Sequence, residues 1–196
     1  MVDTTQVETS AKPGGNLRGA VLWTAGILLA LGLVWFVAAV VVPVYMTRAA
    51  VRDYQHPSAM PDELVQRLGG AERARARLRL FVRLPEWVVS DMDRFRAAEV
   101  LGTLLEWEQA CNLYRTTPFI PVKEGLLTRV FEELRPSLRQ AALRKADILA
   151  RFGEPDAVWS DGAEFIYTGR GQVGDNSGGY ILTFDAEGRL IEIVAA

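Results

Sequence analysis

Histidine and cysteine are nearly missing from this 196-residue chain, which has one of each, His56 and Cys111. A lone cysteine forms no intrachain disulfide, and one His with one Cys cannot complete the closed ligand set of a zinc site. Cys111 lies far from the N-terminus, so no lipid-attachment cysteine is expected. Surplus charge is missing as well. Twenty-two Lys and Arg against 24 Asp and Glu leave a net charge of −2, whereas nucleic-acid binders carry a basic surplus. Nucleic acid is therefore not an expected partner. With 49% hydrophobic and 23% charged residues, the composition is that of a folded chain rather than a disordered one.

A third absence is local: no charged residue occurs between Arg18 and Arg48. Twenty-nine uncharged residues, 19–47, span a hydrocarbon core of about 30 Å as a helix with room for tilt. A cleaved signal peptide has a shorter apolar region and a small-x-small cleavage site, and Val-Pro-Val-Tyr-Met-Thr-Arg is a poor one. The reading is an uncleaved, single-pass signal anchor. Trp23 and Tyr45 stand near its two ends, where amphipathic rings favour the interface, and Pro43 falls in its last turns. Lys12 and Arg18 before the block are balanced by Arg48 and Arg52 after it, so flanking charge does not orient the helix.

Around the anchor the chain divides by composition. Residues 1–18 are a polar tail with Pro13-Gly14-Gly15, expected to be disordered. Residues 48–61, ending in His56-Pro57-Ser58-Ala59-Met60-Pro61, read as a linker. Residues 62–136 carry helical patterning throughout. A first helix over 62–68 stops at Gly69-Gly70, and a second over 71–84 ends before Pro85. A third, capped by Ser90 with Asp93 in the capping-box position, runs on through Cys111. A fourth over 122–134 repeats Val122, Leu126, Val130 and Leu134, and Pro136 closes it. A last helix, 138–152, ends at Gly153-Glu154-Pro155, after which the pattern turns strand-like over 157–160, 164–168, 179–184 and 189–194. The predicted fold class is α+β: a transmembrane helix, an all-helical middle, then a helix with an antiparallel meander of three or four strands over residues 137–196.

Lys145-Ala-Asp-Ile-Leu-Ala-Arg-Phe-Gly-Glu-Pro-Asp156, Trp159-Ser-Asp-Gly162, Phe165-Ile-Tyr167 and Leu182-Thr-Phe-Asp-Ala-Glu-Gly-Arg-Leu190 together resemble the BamE (SmpA/OmlA) module. The resemblance implies a small α+β fold, related in shape to β-lactamase-inhibitor-protein domains, that works without catalysis in outer-membrane assembly. This chain departs from that family: it has no lipidated cysteine, keeps a membrane helix, and places a long helical stretch before the module. No family site residue carries over.

The candidate chemistry is thin. Gly169-Arg-Gly171-Gln-Val-Gly174 is a GxGxxG sequence, but a strand follows it rather than the helix whose N-terminus would hold a pyrophosphate, so a flexible hairpin is expected and no cofactor. Asp161, Asp175 and Asn176 lack calcium-loop spacing, and no metal site is expected. Cys111 continues the apolar side of its helix, as a buried thiol does, and His56 is the only histidine that could activate it, so no catalytic residue is assigned. Arg73, Arg75, Arg77 and Arg79 read as a solvated helix face, with contact to anionic lipid as the alternative for a cytoplasmic domain. Trp159, Tyr167 and Tyr180 are the candidate partner-binding residues on the sheet, with burial in the core the competing reading. The expectation is a non-enzymatic, membrane-anchored interaction or scaffold protein of a bacterial cell envelope, its domain extracytoplasmic by analogy with that family. The alternative is a membrane-tethered inhibitor or regulator of an envelope enzyme.

Overall fold

The computed structural model describes residues 16–54, 62–137, 143–169 and 178–195. Most of the expected disordered tail, residues 55–61 of the expected 48–61 linker and the start of the expected 138–152 helix lie outside the described residues. The protein is α+β, with a long apolar helix near the N-terminus and a four-stranded antiparallel sheet at the C-terminus. The chain forms two compact units, Met1–Pro43 and Val44–Ala196.

In the first unit, α1 (Asn16–Phe36) leads into one π-helical turn, Val37–Val41. The Val42 amide donates to the carbonyl of Val37, five residues back. Pro43 follows immediately; it has no amide proton, and its ring crowds the preceding turn. A wider turn just ahead of a proline relieves that crowding. Trp23, Leu29, Val34 and Trp35 are all exposed, as are Leu22, Leu28, Leu31, Leu33 and Phe36. A helix apolar all round has no buried side to offer a water-soluble core. The helical run Gly19–Arg52 is long and apolar enough to cross a membrane.

In the second unit, residues 48–54 are not a linker. The helix α2 (Val42–Arg52) continues past the end of the charge-free block, and Thr47, Val51 and Tyr54 are buried. Their i, i+4, i+7 spacing makes one stripe, hidden in the sequence by Arg48, Arg52 and Asp53 on the other faces. Arg48 ties this segment to the domain: Nη1 donates to the Val88 carbonyl at 3.0 Å and Nε lies 3.5 Å from the buried carboxylate of Asp93.

The helices α3 (Asp62–Arg67) and α4 (Ala71–Phe81) follow, separated by Gly69 and Gly70, both at positive φ as the sequence requires. The expected third helix is two, α5 (Asp91–Leu104) and α6 (Trp107–Thr116), because Leu105 is extended. Ser90 caps α5 as expected, its hydroxyl accepting from the Asp93 amide. The break is held by side chains of α7 (Ile120–Ser137): Arg129 donates to the carbonyls of Gly102 and Leu105 at the end of α5, groups a helix terminus leaves unpaired. Trp107, first in α6, donates its indole N–H to the Val130 carbonyl at 2.9 Å. Neither partner is visible in local periodicity. Pro121 sits in the first turn of α7, where the missing amide is not needed, and Pro136 lies in its last turn rather than beyond it.

The helix α8 (Lys145–Phe152) ends at Gly153 with φ 82°. The strands β1 (Ala157–Trp159), β2 (Glu164–Tyr167), β3 (Tyr180–Phe184) and β4 (Leu190–Ala195) form a meander in the order 1-2-3-4. Phe165 pairs with Leu182 and Leu182 with Ile193, which puts one row of apolar residues on the helix side. The expected alternation fails in β4, where Thr183 pairs with Glu192 but Phe184 with Leu190, so Ile191 is extruded and exposed. A one-residue bulge resets which side chains face inward.

Helices and sheet share one core, centred on Phe131 of α7. Its ring is fully buried and lies 6.0 Å from Tyr114, 4.9 Å from Phe152, 5.1 Å from Tyr167 and 5.2 Å from Tyr180, centroid to centroid. Those rings come from α6, α8, β2 and β3.

Two outcomes are expected. Phe131→Ala should destabilise by about 3–5 kcal/mol, with far-UV circular dichroism and Trp107 fluorescence melting together at a lower temperature. Separate transitions would mean that the helical part and the sheet are independent. A domain beginning at Val44 should also melt several degrees above one beginning at Arg52, which lacks Thr47, Arg48 and Val51. Equal melting temperatures would return this segment to linker status.

Candidate functional site

The sheet's two faces decide which residues can meet a partner. Tyr167 and Tyr180 are paired neighbours on the core side and are only 1% and 5% exposed. Their hydroxyls are used internally: Tyr167 donates to the Gly153 carbonyl at 2.9 Å and Tyr180 to Glu132 at 3.2 Å. Burial, with the nearby Glu154 and Asp156 carboxylates, pushes the Tyr167 phenol far above its ordinary range. The binding-face reading of these two is corrected: they wrap Phe131. Trp159 is 48% exposed and lies at the end of edge strand β1, on the opposite side of the sheet.

That outer side is apolar in part. The register aligns Ala157, Ile166, Ile181 and Val194 in one row and Trp159, Glu164, Thr183 and Glu192 in the next. Trp159 and Val194, on the two edge strands, are exposed, Ile181 is half-buried and Ile166 is buried. Glu164 and Glu192 make this face acidic at one end. The arrangement offers shape and apolar area.

The glycine loop is outside the described residues from Arg170 to Ser177, and with it Asp175 and Asn176. Both ends are described. Asp156 accepts from the Thr168 amide at 2.6 Å, the Thr168 hydroxyl at 3.0 Å and the Gly169 amide at 2.9 Å. Gly169 has φ +72°, and a Cβ there would lie 2.9 Å from the backbone nitrogen of Glu124. A Cβ at Gly179 would lie 2.8 Å from the Tyr167 carbonyl oxygen. Close packing thus accounts for the glycine that opens GxGxxG and for the one before β3. The Asp156 clamp was missed in the sequence, where only its place after Gly153-Glu154-Pro155 hinted at a turn role.

Cys111 is 2% exposed, and burial, with Glu108 nearby, pushes its thiol up to about 12, far from the depressed value of a nucleophilic cysteine. His56 lies outside the described residues. Asp161 occupies a left-handed turn, φ 54°. Among the described residues no group of three His, Cys, Asp or Glu side chains could hold a metal ion. The arginines of α4 are partly engaged: Arg75 donates to the Leu104 carbonyl at 2.8 Å and pairs with Glu72, and Arg79 donates to Gln109.

One acid stands out. Glu99, on α5, faces α7 where Gly125 passes so close that an added Cβ would lie 2.4 Å from the Phe95 carbonyl oxygen and 3.1 Å from the Glu99 nitrogen. Burial pushes its carboxyl up to about 7 from 4.5, with Arg96 partly opposing. The folded chain therefore holds a proton that the unfolded chain has lost between pH 4.5 and 7, so this contribution to stability falls as pH rises through that window. Glu99→Gln should flatten the decline and raise the melting temperature at pH 8. An unchanged pH profile would show that Glu99 is solvated.

Comparison with family models, curated proteins and solved structures returns no match.

Proposed function

We propose that this chain is a non-catalytic, membrane-anchored interaction protein of a bacterial cell envelope, whose sheet presents its outer face to a protein partner. The observation that carries the reading is that face: Trp159 and Val194 stand exposed on the side away from the core, and Ile181 between them is only half-buried. Exposed apolar area rimmed by polar residues, here Thr183, Glu164 and Glu192, suits protein contact. The charge-free helix supports the anchor, because exposed apolar side chains all round it call for lipid rather than water. The envelope assignment rests on the resemblance of residues 145–190 to the BamE module. By that analogy the N-terminus faces the cytoplasm and the domain lies outside.

A photo-crosslinker at Thr183 should trap an envelope protein, whereas one at Glu72, at the start of α4, should trap none. Alkaline phosphatase fused after Ala196 should be active, and a cytoplasmic fluorescent protein fused there dark. Fluorescence without phosphatase activity would place the domain in the cytoplasm and remove the envelope reading. Release of the full-length chain by alkaline extraction would remove the anchor.

A further inference from the structure

The most exposed aromatic side chain of the domain is Trp87, 87% accessible, in the turn between α4 and α5. Nothing in the core or on the sheet's outer face uses it. Its position relative to Arg48 follows from one bond. The carbonyl of the next residue, Val88, accepts from Arg48 at 3.0 Å, and Arg48 is the first charged residue after the apolar block. The turn is therefore held beside the residue at which the chain leaves the hydrocarbon.

The same end of the domain carries further exposed apolar groups. The buried Arg94 ties this end together: its guanidinium donates to the carbonyls of Val82 and Leu84 at the end of α4 and lies 4.1 Å from the centre of the Phe119 ring, just ahead of α7. α5 and α7 run parallel, since Gly125 lies against residues 95–99 and Gly102 against Leu126 and Arg129. Their N-terminal ends thus lie together, and there Met92, 58% exposed, and Ile120, 48% exposed, line one open depression with Phe95 and Pro121, the carboxylates of Asp91 and Glu124 standing at its rim. Arg83, Glu86 and Asp91 flank the turn in sequence, and Arg48 pairs with Asp93, so both signs of charge are present.

We propose that Trp87 is a second membrane contact: its indole enters the boundary between headgroups and acyl chains, with Met92 and Ile120 beside it, and seats the domain on the bilayer. Tryptophan favours that boundary because one edge is apolar and the N–H still finds a polar partner. Since the surrounding charges are mixed, apolar burial rather than attraction to anionic lipid drives the contact. It forms on zwitterionic membranes and on either side of the bilayer. The inference rests on the anchor reading, but not on the envelope assignment.

The test uses the full chain in phosphatidylcholine vesicles, with Trp87→Cys carrying an environment-sensitive fluorophore and Glu72→Cys, at the other end of α4, as the water-exposed control. The parent chain reports any labelling of the buried Cys111. Because Trp87 is exposed, its replacement should leave the melting temperature unchanged. The label at 87 should emit at shorter wavelength than the label at 72, be quenched by brominated acyl chains, resist iodide, and keep these properties in high salt. A label at 87 as open to iodide as that at 72, on chains that float with the vesicles, would overturn the proposal and leave the anchor standing. Chains that fail to float would overturn the anchor and this contact with it.

Discussion

The domain depends on one ring. Phe131 lies on the inward stripe of α7, and around it close Tyr114 of α6, Phe152 of α8, Tyr167 of β2 and Tyr180 of β3. Aromatic rings bury large areas and prefer tilted or edge-on contacts; those of Tyr114 and Phe131 meet at 89° and those of Phe131 and Phe152 at 44°. With four partners from four elements, no part of this cluster is complete without the others. The helical stretch before residue 137 and the sheet after it are consequently two sides of one core. The two tyrosines that the sequence offers as a binding face are drawn inward for the same reason.

Polar groups organise the edges of that core. Arg129 and Trp107 together secure the break between α5 and α6, one by taking up carbonyls of the ending helix and the other by anchoring the start of the next. Arg94, fully buried, does the same for the end of α4. Asp156 gathers three donors at the exit of β2. Each case is a long side chain or carboxylate meeting backbone groups that secondary structure leaves unpaired, and a buried polar group left alone is costly. The groups that look chemical in isolation, Cys111, Tyr167 and Gly169, are used up by packing. Among the described residues, the surface that the core leaves exposed includes part of the outer face of the sheet and the end of the helical bundle beside Arg48.

Much of this was readable in advance. The charge-free run from Gly19 to Thr47 required a helix that water would not cover, since no local alternative buries 29 apolar and uncharged residues. Gly69-Gly70 and Gly153 ended helices at positive φ, and Ser90 capped α5, because those effects act within a few residues. The four strands fell close to their expected positions for the same reason, as alternation is a local pattern. The α+β class followed from adding these elements in order.

Tertiary structure decided the rest. The break at Leu105 is announced only by Gly102 in the last turn of α5; it is held by Arg129 and Val130, over twenty residues away, which supply the partners. Residues 48–54 carry charges that suggested solvent, yet Val51 and Tyr54 are buried because the domain meets that one stripe. Which aromatics face out was equally undecided, since Trp159 and Tyr167 differ in exposure only through strand register, edge position and the helix that covers one face. The sequence by itself determined the local conformations and the membrane-competent helix, because these need only neighbours along the chain. It left open which side chains meet across the fold, because that depends on how the elements are brought together, and here the candidate surfaces are whatever the Phe131 cluster did not take.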